Sequence, residues 1–289
     1  MSWRTVVVST RCKLDLKLGY MVIRGETTQR IFLDEVAIVL IENPAVAMTG
    51  CLLEALNEKK IRVIFCNSKR SPYGELAPYY GSHDCSRKLK NQIGWDAEIK
   101  GAVWQSVIER KIEMQAEHLS ERDKAEEAAL LRSYLPQIEL NDASNREGHA
   151  AKVYFNALFG KGFKRGADDA VNAALNYGYS VLLSAFNRAV SAAGYLTQIG
   201  IHHDNIYNFY NLSSDIMEPF RILVDREVLQ TEFTAFDKEV RYRLVDILNM
   251  SVKIDGNVQT VLNAIEIYSR SVFAALNDRD PSLIRYYAL

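Results

Sequence analysis

The apolar positions divide the chain into two unlike parts. Over the first ninety residues they come in short runs separated by turn residues. Thr5-Val-Val-Val-Ser9 is a β-branched run, residues 13–18 alternate polar and apolar up to Gly19, and Tyr20-Met-Val-Ile-Arg24 follows as the return strand of a hairpin. Val36-Ala-Ile-Val-Leu-Ile41 is unbroken, as in a strand covered on both faces. Leu52, Leu53 and Leu56 fall on one side of a helix over 48–58, and Ile61-Arg-Val-Ile-Phe65 returns as a strand.

Beyond Pro78-Tyr-Tyr-Gly81 the period lengthens. Val103, Trp104, Val107, Ile108 and Ile112 recur at helical spacing, and a second helix over 124–135 stops before Pro136. Asp142-Ala-Ser-Asn145 is a start signal for a helix carrying Glu147 to about residue 159. A long helix over 169–193 puts Val171, Leu175, Leu182, Phe186 and Val190 on its core face, and Gly194 ends it. Residues 195–211 read as loop, followed by helices over 215–229 and 258–277. The pattern predicts an α+β protein. A small β-sandwich-like N-terminal domain, 1–90, offers edge strands suited to dimerisation. A larger all-α domain, 91–289, carries the chemistry. The boundary falls between 80 and 100, with Arg87-Lys-Leu-Lys90 as a solvated linker. No internal repeat or long heptad run is present.

Composition narrows the classes. The 289 residues are 48% hydrophobic and 25% charged, as in a folded protein, and no apolar stretch approaches the roughly 20 residues of a membrane span. The opening Met-Ser-Trp-Arg-Thr-Val-Val-Val lacks a secretory h-region, so the expected location is the cytoplasm, away from any membrane. Cys12, Cys51, Cys66 and Cys85 have no metal-binding spacing and read as structural buried thiols. With 35 basic and 36 acidic residues, any phosphate-binding surface has to be a local patch.

Three distant stretches hold groups suited to a hard divalent ion: Asn145-Arg-Glu-Gly-His-Ala-Ala151, Gly200-Ile-His-His203 and Ser214-Asp-Ile-Met-Glu-Pro-Phe-Arg221. Carboxylates plus one imidazole suit Mg²⁺ or Mn²⁺, with Mn²⁺ expected to serve at least as well because of the histidine. Each residue also has a plain structural reading. Ser144-x-x-Glu147 is a capping box, in which the glutamate turns back to its own helix start. His202 and His203 lie in a polar loop where neighbouring side chains point apart, so only one is a ligand candidate. Asp215 and Glu218 stand i, i+3 if a helix has begun, or at a helix start if Pro219 opens it.

In this order the stretches resemble the integrase subunit of CRISPR spacer acquisition, in its type II form. The resemblance extends from the Trp-Arg-Thr-Val-Val-Val opening through all three stretches. It implies that Glu147, His203 and Glu218 bind the metal and carry catalysis. It places Asp215 behind them or near DNA, and leaves His202 to DNA phosphate or solvent. Arg146 and Arg221 are then candidates to meet phosphoryl charge, with salt bridging as the alternative. Lys161, Lys164 and Arg165 in the basic loop, with Phe163 for base stacking, are candidate DNA contacts. Arg87, Lys88 and Lys90 form a second set. The implied partners are double-stranded DNA (fragment and CRISPR repeat), a second copy of the chain, and a small ferredoxin-like subunit bridging two dimers. The large type II effector nuclease and a DNA-clamping protein are further implied partners. Two rivals remain: a metal-dependent nuclease of DNA repair, and a DNA-binding scaffold whose acids only cap helices.

Overall fold

The computed structural model describes residues 4–70, 72–76, 83–230 and 235–289. Strands β1 (Arg4–Val8), β2 (Lys13–Lys17), β3 (Tyr20–Arg24), β4 (Thr28–Phe32), β5 (Val36–Ile41) and β6 (Ala47–Met48) precede helix α1 (Gly50–Glu58) and strands β7 (Arg62–Cys66) and β8 (Pro72–Leu76). One sheet has the order β1-β5-β7-β8 and the other β4-β3-β2-β6. Parallel pairing of β1, β5 and β7 is possible because α1 makes the crossover between the last two. Val6, Leu14, Met21, Val39 and Val63 from both sheets, with Leu52 and Leu56 of α1, form one apolar core.

The unbroken run in β5 has a direct cause. Val36, Val39 and Ile41 enter the core between the sheets, while Ala37, Ile38 and Leu40 join the core of the helical lobe. All six residues are buried. Charged groups close the same seam. Glu42, fully buried, accepts from Arg241 Nε at 2.7 Å, and Arg70 approaches it at 3.4 Å. Arg62 meets Glu75 at 3.3 Å and Ser191 at 3.4 Å.

The helical part comprises α2 (Cys85–Gly94), α3 (Ala97–Glu121), α4 (Ala125–Tyr134), α5 (Arg146–Phe159), α6 (Ala170–Ala192), α7 (Asn211–Ile216), α8 (Arg221–Gln230) and α9 (Lys238–Asp246), then β9 (Ser251–Ile254), β10 (Asn257–Thr260) and α10 (Val261–Asp278). Helix α3 is buried along most of its 25 residues and carries Trp104, Val107, Ile108 and Ile112 inside. The lobe is therefore helical with one small antiparallel hairpin, β9–β10.

Several expectations change. Arg87, Lys88 and Lys90 lie on α2 rather than on a linker, because Asp84 anchors its first turn by pairing with Arg87 at 2.6 Å and Lys88 at 3.2 Å. Val258 belongs to β10 and the last helix starts at Val261, capped by Thr260. Only Cys12 and Cys66 are buried thiols, whereas Cys51 is exposed at the outward start of α1 and Cys85 is half-buried. The 78–81 stretch lies outside the described residues. Among the described residues no helix is long and apolar enough to cross a membrane.

Gly178 lets α6 meet α8 and α9 closely. A Cβ there would stand 2.5 Å from Val224 Cγ1 and 3.2 Å from Leu244 Cδ2. Gly178→Ala is expected to destabilise the protein by about 1–3 kcal/mol, overpacking outweighing the better helix propensity. Urea denaturation measures this, and an unchanged midpoint would refute it.

Candidate active site

The site begins with an unusual helix start. Asp142, at φ +49°, turns its carboxylate to the backbone N–H groups of Arg146 (2.8 Å) and Glu147 (3.0 Å), while Asn145, at φ +52°, accepts from Gly148 N. These are the orphan donors of the first turn of α5. The expected capping box is therefore absent: Ser144 Oγ donates to Gln137 O instead, and the Glu147 side chain is released from its own helix. It reaches across to α3, where Lys111 Nζ donates to Glu147 Oε1 at 2.6 Å.

The histidine loop is gathered by one buried carboxylate. Asp215 accepts from the backbone N–H of Ile201 (2.7 Å), His202 (3.0 Å) and His203 (3.1 Å) and bonds the His203 ring at Nδ1. The chain can close so tightly because residue 200 is glycine, where a Cβ would lie 2.4 Å from His203 O. The Asp215 bond holds the His203 pKa above the ordinary histidine value, against burial. With Nδ1 engaged, Nε2 is the ring nitrogen left for a ligand.

His202 goes elsewhere. Its ring stacks on Trp104 with centroids 4.3 Å apart and bonds Asn141 Oδ1 at 3.0 Å, while the residue as a whole stays exposed to solvent, as expected. Burial lowers its pKa. The loop is compact rather than extended, which brings the two histidine rings within 5.3 Å.

The 215–229 helix is interrupted. Helix α7 ends at Ile216, Glu218–Phe220 form a 3-10 turn with Pro219 at its start, and α8 begins at Arg221. Asp215 and Glu218 thus serve different partners. Glu218 is buried and accepts from Lys111 Nζ at 2.6 Å and Arg221 Nε at 2.8 Å. Burial works to raise its pKa, but Arg221 and Lys111 prevail and hold it down to about 2.

Glu147, His203 and Glu218 line one cavity of about 240 Å³, together with Lys111, Gln115, Arg165, Arg221 and Asp225. Because both glutamates touch Lys111 Nζ, their nearest oxygens are separated by no more than twice 2.6 Å. Among the described residues no three His, Cys, Asp or Glu side chains stand together ready to hold a cation. The donor chemistry nevertheless suits a hard divalent ion, two carboxylates and an imidazole nitrogen bordering one space. The Lys111 ammonium holds the position between the carboxylates.

The remaining candidates divide. Arg221 stacks on Tyr179 at 4.6 Å, and Arg165 bonds Asn176 at 2.8 Å while bordering the cavity. Arg146 lies over the Tyr134 ring, 5.5 Å from its centroid, and is not among the cavity's lining residues. Phe163 packs against Phe155 and Phe159, at 5.7 and 4.6 Å, so its ring is engaged internally rather than free for a base. Lys161, Lys164 and Lys90 are exposed. Lys111 and Asp225 lie outside the sequence-predicted site, whereas Asp142 and Asn145 belong to the predicted helix start and cap it. Lys111 falls within the buried side of α3, at helical spacing from Val107 and Ile108, and that was the available signal.

Asp225 accepts from Tyr179 Oη, and its burial pushes its pKa up to about 6. A raised folded pKa means the carboxyl's contribution to stability is complete below about pH 4 and lost as pH rises through about 6. Asp225→Asn should gain stability on the parent at pH 8 relative to pH 4, on the order of 1–3 kcal/mol. Thermal unfolding at the two pH values tests this, and a gap independent of pH would contradict it.

The profile of the family described as CRISPR associated protein Cas1 matches residues 5–233. A CRISPR-associated endonuclease Cas1 from Neisseria meningitidis serogroup C is 32% identical over 295 residues, covering 99% of this chain and 96% of the relative. Among solved structures, a casposase bound to an integration product superposes with TM-score 0.76 at 17% identity, covering 97% of this chain and 92% of that one. A chain of a Cas6-RT-Cas1–Cas2 complex gives TM-score 0.75 at 18% identity, covering 97% of this chain and 36% of that longer one.

Proposed function

The chain belongs to the Cas1 family of CRISPR-associated proteins, and from that premise we propose that it is a metal-dependent DNA endonuclease and integrase that inserts captured DNA fragments into a CRISPR repeat array. The observation that carries this reading is the meeting of Glu147, His203 and Glu218 from three distant stretches on one cavity. Relatives are named endonucleases, and the similar casposase is bound to an integration product, which favours joining over cutting alone.

In the proposed reaction a fragment's 3′-hydroxyl oxygen bonds to a phosphorus at the repeat edge, and the bond from that phosphorus to the displaced 3′-oxygen breaks. The hydroxyl proton passes to solvent and returns on the leaving oxygen. Glu147, Glu218 and His203 Nε2 would hold Mg²⁺ or Mn²⁺, which when bound polarises the phosphate and eases loss of the hydroxyl proton. Asp215 fixes the His203 ring by bonding Nδ1 and the loop backbone around it. Arg221, held by Glu218 and the Tyr179 face, supplies a fixed positive charge beside the cavity for the phosphoryl oxygens. Arg165 adds another at the rim, and exposed Lys161 and Lys164 continue the basic patch for the DNA backbone. With water in place of the 3′-hydroxyl the same groups cut, so nicking of branched DNA belongs to the same reading.

The chain's likeness to part of a Cas6-RT-Cas1–Cas2 complex supports a Cas2 partner, which in this proposal is a small ferredoxin-like subunit bridging two homodimers. The type II effector nuclease and a DNA-clamping protein are further proposed partners.

A labelled fragment and a repeat-bearing plasmid separate the readings. The parent should yield joined product with Mn²⁺ or Mg²⁺ and none with chelator. Glu147→Ala and His203→Ala should lose joining and nicking alike. Nicks without joining would point to a repair nuclease, and full activity in both variants would point to a scaffold.

Asp215→Asn should lower the rate by roughly 10–100-fold, as expected when the group orienting a metal-bound histidine is weakened. A parental rate at saturating Mn²⁺ would remove Asp215 from the mechanism.

A further inference from the structure

Lys111 lies where a shared cation would be expected. Its Nζ stands 2.6 Å from Glu147 Oε1 and 2.6 Å from Glu218 Oε2, and its side chain is only 9% exposed. A divalent ion bonded to both carboxylates needs the same oxygens from the same side. Two cations cannot share that point, because their repulsion is large where solvent is excluded.

The charge count leads the same way. Besides His203, the charged side chains lining the cavity are Glu147, Glu218 and Asp225 with Lys111, Arg165 and Arg221, three acids and three bases. An added divalent ion brings two positive charges to a balanced site, and departure of one resident cation relieves half of that excess. Arg221 is poorly suited to leave, since its planar guanidinium is fixed by Glu218 and by Tyr179. Lys111 is a compact charge on a flexible four-carbon stem.

A receiving acceptor is present. Gln115 lies four residues further along α3, on the face shared by i, i+4 positions, and borders the same cavity. Its Oε1 is buried and has no hydrogen-bond partner among the described residues. Buried amide oxygens are ordinarily satisfied, so this one marks a position where a donor is called for.

We propose that Lys111 is a built-in counter-cation which competes with the divalent metal for Glu147 and Glu218 and turns toward Gln115 when the metal binds. The inference rests on the reading of those two glutamates as metal ligands. Lys111 is thereby a positioning residue: it keeps two acids together that would otherwise repel, and sets a threshold for metal loading.

Mn²⁺ binding to the full chain, followed by calorimetry without DNA, tests the proposal. Lys111→Met should lower the Kd for Mn²⁺ by roughly tenfold and enlarge the Mn²⁺-induced rise in melting temperature, whereas a merely structural lysine would leave binding unchanged or weaker. In the unmutated chain, Mn²⁺ should increase acylation of Lys111 by an amine-reactive reagent, read by mass spectrometry, so the inference stays testable even if the variant fails to fold. Mn²⁺ binding with an equal or higher Kd in Lys111→Met, or unchanged Lys111 acylation, would overturn the competition while leaving the metal site standing. Failure of the parent to bind Mn²⁺ would overturn the metal site and the competition together.

Discussion

A carboxylate removed from water has to be met by donors or by positive charge, and this demand organises the protein. Asp215 is met by three backbone N–H groups and thereby shapes the loop presenting His203. Glu218 is met by Lys111 and Arg221, which ties α3 to the turn before α8. Glu42 is met by Arg241 and fixes α9 against the end of β5. Lys111 and Arg241 come from distant parts of the sequence, 107 and 199 residues from the acids they meet, so satisfying those charges also closes the fold.

That dependence governs how much could be read in advance. Patterns of apolar residues are local, and β1, β3, β5, α3 and α6 announce themselves through them. Strand β4 does not, because only Ile31 of its five residues is buried and the rest follow no alternation. Helix α9 is likewise mostly polar along its outer side and has the form of a solvated stretch. The break around Pro219 was foreseeable as one of two outcomes, and only the surroundings of Glu218 decide between them.

The candidate site shows the same division. Three sequence stretches were enough to select Glu147, His203 and Glu218, since their order and wording are specific to a family. Their supporting groups carried no such signal. Ser144-x-x-Glu147 has the form of a capping box, yet Asp142 and Asn145 of the same start signal do the capping, through left-handed turns that a residue string does not display. Phe163 in a basic loop has the form of a stacking platform, yet it closes an aromatic cluster with Phe155 and Phe159. Lys111 could be located on a helix face but not assigned two carboxylate partners, one 36 and the other 107 residues away.

Strand β5 divides its side chains between two cores, and Glu42 just after it is paired with Arg241 of α9. Cutting the chain between the sheets and the helices would therefore leave a raw apolar face on each fragment. Relatives built this way cannot trade their front and rear halves as independent cassettes. A working chimera would have to transplant β5, β7 and the matching surfaces of α6 and α9 as one inherited block.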